Sequence, residues 1–151
     1  MPMTFNSPRD LFGSDGLDLG VTDWYEITQE RINLFADATG DHQWIHTDPD
    51  KAEEGPFGAT IAHGYLTLSL ANLFLPDLLQ VSQVSMGINY GVNKVRFPSP
   101  VIVGSRVRAN GTISEVTEIA GGVQVIVVIT IEIEDDPKPA CVVESISRFL
   151  H

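Results

Sequence analysis

Cysteine is nearly absent: the single Cys141 can form no internal disulfide, which suits a reducing compartment, and cytoplasm is the expected location. Basic residues are also scarce. Nine Lys and Arg against 20 Asp and Glu leave a net charge of −11, which argues against nonspecific nucleic-acid binding, because that runs on cations neutralising phosphates. No apolar run approaches the ~18 residues of a membrane span. The opening "MPMTFNSPRD" lacks the charged and apolar regions of a signal peptide. Neither a His-Glu-x-x-His helix nor a Cys framework for metal is present. No internal repeat, low-complexity tract or linker divides the chain. What remains is 151 residues, 43% hydrophobic and 19% charged, the profile of one ordinary soluble globular domain.

"VTDWYEIT" reads as a strand, with a helix cap at Thr28. Ile32, Phe35 and Ala36 then share one helical face, and Gly40 is a natural C-terminal stop. Asp48-Pro49 has the form of an N-cap and first helical position. "GYLTLSLANLFL", Gly64 to Leu75, is apolar nearly all round, which predicts a helix buried on most sides and bent or ended by Pro76. Only strand signals follow: "VSMGINYGVNKVRF", "RVRANGTISEVTEI", "VQVIVVITIEIE" and "ACVVESISRFL". The predicted fold class is α+β, an antiparallel sheet wrapped around the apolar helix. Such a sheet has open edges, so a homodimer is expected.

The polar stretch "ATGDHQWIHTDPDKAEEGPFGATIAHG", Ala38 to Gly64, holds three of the four histidines. Asp41, His42, His46 and Asp48 are competent metal ligands, but their spacing matches no known metal motif, and no metal is expected. An acid/base site is the better reading. His46 is the natural general base, and Asp41, just beyond a helix stop, can turn back towards it. Burial of Trp44 and Ile45 between them would desolvate the carboxylate. The structural alternative is a capping Asp beside a hydrogen-bonded loop His. Gly64, at the start of the apolar helix, lets a ligand approach free backbone N–H groups, which suit an oxygen that becomes negative during reaction.

"GDHQWIH" followed by "GPFGATIAHGYLTLSLANL" resembles the MaoC-like hydratases of the (R)-specific enoyl-CoA hydratase type, nearest the nodulation-protein-N-like branch. "NKVRFPSPVIVGSRV" resembles the strand pair after their central helix. The resemblance spans about residues 22 to 150 of a single domain, 1–151, leaving residues 1–20 irregular. It implies a hot-dog fold, usually dimeric. Gly40-Asp41 and Ile45-His46 match the family signature, so the catalytic Asp and His carry over to Asp41 and His46, and the oxyanion-hole amide to Gly64. A small polar residue that orients the Asp falls at Asn72. Gln43-Trp44 replaces the signature's Asn-Pro, which affects pocket shape more than chemistry. His63 joins these as a supporting residue at the helix start.

The implied activity is reversible (R)-specific hydration of a trans-2-enoyl thioester to the 3-hydroxyacyl thioester, within fatty-acyl metabolism. No cofactor is required; coenzyme A arrives as part of the substrate. Lys94, Arg96, Arg106 and Arg108 lie in an acid-free stretch and are candidates for its phosphates. These four positions can equally be outward strand residues paired with acids elsewhere. The acidic chain slightly favours coenzyme A over an acyl-carrier protein. The alternatives are a hot-dog thioesterase and a catalytically silent acyl-thioester-binding protein.

Overall fold

The computed structural model describes residues 1–151. The centre of the sheet is the easiest element to derive. In β7 (Gly122–Ile133), strict alternation puts Val123, Val125, Val127, Ile129 and Ile131 on one face, all buried, with half-buried residues between them. Period-two patterning of β-branched residues favours a strand with one face against a core. On either side lie β6 (Arg106–Ile119) and β8 (Cys141–Leu150), both antiparallel to β7. The edge strand β5 (Met86–Arg96) pairs with β8, and β2 (Asp18–Val21) and β3 (Tyr25–Glu26) both pair with β6. Register shifts at Asn89/Gly91 and Val92/Val95 interrupt the β5 ladder, the kind of irregularity that bends a strand.

Helical segments interrupt this sheet in sequence. Helix α1 (Gln29–Thr39) starts where Thr28 accepts a hydrogen bond from the Arg31 N–H and stops at Gly40, whose φ of 81° is left-handed. Two single turns follow, α2 (Trp44–Thr47) and α3 (Pro49–Glu53), the latter capped by Asp48 with Pro49 in its first position. The apolar segment then packs its Leu66, Leu70, Phe74 and Leu78 into the same core as β7. At Gly111 of β6 a Cβ would meet the Leu78 side chain at 3.0 Å, so glycine there permits the close approach of helix and sheet.

Three expectations need correction. The apolar segment is two helices, α4 (Gly64–Ser69) and α5 (Ala71–Leu78), meeting at Leu70. It is not buried on most sides, since Tyr65 and Leu73 are 73% and 43% exposed in the single chain. These two lie eight residues apart with exposed Ser69 and Asn72 between them, which defines one open face at helical spacing. Pro76 does not end the helix, which runs two residues further to Leu78.

Residues 1–20 are not irregular either. Strand β1 (Met3–Phe5) pairs in parallel with β4 (Leu79–Val81), and a 3-10 turn over Pro8–Leu11 buries Leu11 completely. "VTDWYEIT" is not one strand; it is the end of β2 and the short β3 with a break between.

Candidate active site

The site begins with the stop at Gly40, which turns the chain so that Asp41 follows directly on α1. The single turn α2 then points His46 inward, where it is 6% exposed. Its Nδ1 lies 2.7 Å from the Ile61 carbonyl oxygen, which can only accept, so Nδ1 carries a hydrogen and the lone pair of the neutral ring is on Nε2. Backbone bonds hold both sides of this contact. The Ile61 N–H donates to Ile45, and the 60–62 segment is pinned to 101–103 through Ala62 to Val101 and Val103 to Thr60. Gln29 at the start of α1 fastens α2 to the same segment. Its Nε2 donates to the His46 carbonyl at 2.7 Å, while its Oε1 accepts from the Thr60 hydroxyl at 2.5 Å.

His63, 3% exposed, completes the group. Its Nε2 donates to the Asp41 carbonyl at 3.0 Å, and its ring stacks on His46 with centroids 3.9 Å apart and planes 25° from parallel. Phe35 of α1 packs on the outer side of His63 at 4.9 Å. His63 Nδ1 is buried and has no partner, a condition that costs about 1–3 kcal/mol. Polar atoms of Asp41, His46 and His63 all lie within 4.8 Å of one another. The first two were legible as a pair in the sequence. Gln29, Thr60 and the role of His63 were not, because nothing in local spacing links position 29 to 46 or 63 to 41.

These three side chains are also the group best placed to hold a metal ion. Their geometry favours hydrogen bonding instead: one nitrogen of each ring serves a backbone carbonyl, and near-parallel rings do not converge on one point as ligands ~2.0–2.1 Å from an ion must. The set Asp41, His42, His46 and Asp48 is not assembled. His42 is exposed and turns to Asp37 at 2.9 Å, whose hydrogen bond raises its pKa, and Asp48 is occupied as the α3 cap.

Gly64 is the first residue of α4, immediately after His63. Its N–H has no acceptor in the chain. Neither packing nor backbone demands glycine here: φ is not left-handed, and an added Cβ would meet the Phe97 ring at 3.5 Å, an ordinary contact. The residue instead opens one wall of a cavity of about 250 Å³ that also includes Ile61, Thr67, Phe97 and Val101. A larger cavity of about 520 Å³ lies beside Trp24 and Arg108, away from Gly64, and the walls of neither cavity include Asp41, His46 or His63.

Other expected positions fall elsewhere. Trp44 and Ile45 do not cover Asp41, whose carboxylate is exposed and accepts from the Gln43 N–H at 3.3 Å. Trp44 turns to Gly55 and lies under the Lys51 ammonium at 4.9 Å. Asn72 is on the open face of α5 and lines two cavities of about 330 and 290 Å³ with Asn89 of β5. It stands about 12 Å along the helix from Gly64. The four basic residues form no single patch. Arg106 pairs with Glu134 and Arg108 with Glu132 at 2.8 Å, and both guanidinium groups face Trp24. Lys94 and Arg96 lie on β5, three strand spacings or about 14 Å away, exposed and without an acid partner. Burial pushes the Cys141 thiol up to about 11, and the residue takes no part in the cluster.

A curved antiparallel sheet on a central helix, with an Asp/His group at the helix start, defines a hot-dog protein of the hydratase type. The chain belongs to the MaoC-like family: residues 16–135 match the MaoC like domain. It is 54% identical over 148 residues to the 3-hydroxyacyl-thioester dehydratase Z of Mycobacterium tuberculosis, covering 97% of this chain and 98% of that protein. It is 44% identical over 138 residues to nodulation protein N of Rhizobium leguminosarum, covering 89% of this chain and 85% of that one. In fold it is similar to an (R)-hydratase of Pseudomonas aeruginosa, with a TM-score of 0.74, 21% identity, and coverage of 91% of this chain and 82% of that structure.

Proposed function

We propose that this protein is a hydro-lyase that reversibly hydrates trans-2-enoyl-CoA to (R)-3-hydroxyacyl-CoA in fatty-acyl metabolism. One observation carries the reading: Ile61 takes the hydrogen of His46 Nδ1, which leaves Nε2 free, and a ring nitrogen of His46 lies within 4.8 Å of the Asp41 carboxylate. The 3-hydroxyacyl-thioester dehydratase named above supports the substrate class, and the (R)-hydratase structure supports the fold. In the hydration direction the pair binds a water. One member takes its proton as the oxygen adds to C3, and the C2–C3 π electrons move towards the thioester carbonyl. The Gly64 N–H stabilises the resulting enolate oxygen. A proton then returns to C2, so no electrons enter or leave, and neither a metal nor a redox cofactor is required.

Coenzyme A is part of the substrate, with Lys94 and Arg96 as its phosphate contacts; Arg106 and Arg108 are occupied by acids. The reading includes a homodimer. Edge strand β5 is exposed along most of its length, and its Asn89 and Val92 line a cavity with Tyr65 and Asn72 of the open helix face. A second copy is also what would carry Asn72 to Asp41. No helix is long and apolar enough to cross a membrane, and the free, buried Cys141 suits the cytoplasm.

The purified protein mixed with crotonyl-CoA should remove the conjugated enoyl absorbance, and 3-hydroxybutyryl-CoA should restore it. Turnover of neither, with longer and branched enoyl chains equally inert, would end the hydratase reading. Free thiol release from a saturated acyl-CoA would put a thioesterase in its place.

A further inference from the structure

We infer that His63 is the positioning residue of the site, setting Asp41, His46 and the Gly64 N–H relative to one another; this rests on the hydratase reading above. Three contacts leave this one residue. The Nε2–H holds the Asp41 carbonyl at 3.0 Å, so the backbone that carries the carboxylate is fixed to the ring. The ring face stacks on that of His46 with centroids 3.9 Å apart, while the edge of the His46 ring is held by the Ile61 bond at its Nδ1. The peptide bond from His63 to Gly64 carries the unpartnered N–H itself.

A space-filling role does not explain the imidazole. The residue is 3% exposed and packed by Phe35, surroundings in which a phenyl ring of similar shape would be at home. As histidine it leaves Nδ1 buried without a partner. The side chain also makes no cap bond to its own helix, so a helix-start role does not account for it either. What the imidazole supplies beyond a phenyl ring is the Nε2–H, and that hydrogen goes to Asp41. His63 therefore acts through its neighbours, and its loss should lower turnover more than substrate binding.

The test compares the parent with His63→Gln and His63→Phe on crotonyl-CoA, each first checked for a native circular dichroism spectrum. Phe keeps the ring and loses the donor; Gln keeps an amide N–H near the position of Nε2. Expected is a fall in kcat of about a hundredfold for His63→Phe with KM within about twofold. His63→Gln should recover about tenfold of that loss. Parent-like kcat in His63→Phe, a rise in KM alone, or a Gln variant no better than Phe would overturn the inference. Should the Phe variant not fold, His63→Asn, whose amide is too short to reach Asp41, replaces it. Imidazole nitrogen NMR of the parent needs no activity, so it separates this inference from the hydratase reading. It should show His63 with its hydrogen on Nε2 and that hydrogen protected from exchange. A rapidly exchanging or Nδ1-bound hydrogen would overturn the inference whatever reaction the protein catalyses.

Discussion

His46 and Ile61 are joined by a hydrogen bond of 2.7 Å from the imidazole Nδ1 to a backbone carbonyl, across a separation of 15 residues. The carbonyl fixes the tautomer, because an oxygen without hydrogen can only accept. A ring fixed this way offers Nε2 as a base without first rotating or exchanging its proton, which is what a positioned general base requires. Asp41 sits beside it through the backbone rather than by a direct side-chain bond, since its carbonyl is what His63 holds.

His46→Gln and Asp41→Asn should each lower kcat by a factor of about a hundred or more on crotonyl-CoA. The double variant should fall little further than the worse single one, because residues that act as a unit are not additive. Asp41 is exposed, so Asp41→Asn should leave the melting temperature unchanged. Losses that multiply in the double variant would show two independent contributions and not a shared proton-transfer group.

Gly64→Ala separates the need for glycine in folding from the need in catalysis. The backbone is not left-handed there and the new methyl reaches only Phe97 at 3.5 Å, so stability should hold or rise by about 0.4–1 kcal/mol. The methyl nevertheless stands in the wall of the 250 Å³ cavity beside the free N–H. A fall in kcat/KM of about tenfold at a melting temperature no lower than the parent's is expected, read by kinetics alongside a thermal melt. An active variant that melts early would assign Gly64 to packing alone.

Much of the fold and of the site is legible in the sequence, and the parts that are not share a cause. The helix caps Thr28 and Asp48, the stop at Gly40 and the strand over residues 106–119 all follow from neighbours within a few positions. The Asp41/His46 pair and Gly64 were visible because they lie in one short stretch. Pairings that depend on register were invisible. Arg108 meets Glu132 only because β6 and β7 align those two residues, and the same alignment brings Arg106 towards Glu134. Strand β1 has three residues and no periodicity of its own, and it exists by pairing with β4 seventy-six positions away, Met3 against Leu79. The open face of α4 and α5 misled for another reason: apolar residues all round signal burial, but not whether one chain or two supplies it.

Register also separates the basic residues into two classes with different expected effects. Lys94→Glu with Arg96→Glu should raise the KM for crotonyl-CoA several-fold, more at low salt, because exposed charges act through screened attraction. Arg108→Glu should leave KM alone and lower stability by up to about 1 kcal/mol through loss of its pairing with Glu132. Crotonyl-pantetheine, which has no nucleotide phosphates, is the control. A KM for it that rises equally in the Lys94/Arg96 variant would mean that those residues do not read phosphate.

Asn72 offers the sharpest test of whether one chain builds a complete site. Within one chain it lies about 12 Å down the helix from the Asp41 end, on a face left open beside edge strand β5. If a second copy brings Asn72 to Asp41, the Asn72→Ala variant and the His46→Gln variant should each be impaired as pure proteins. A dimer made from one of each would then contain one site with both residues intact. Mixing the two variants under exchange conditions should restore activity towards a quarter of the parent level, since half of the dimers are mixed and half of their sites are complete. Light scattering should give the mass of a dimer throughout. Activity that stays at the average of the two pure variants would place Asn72 and His46 in the same chain's site, or Asn72 in none.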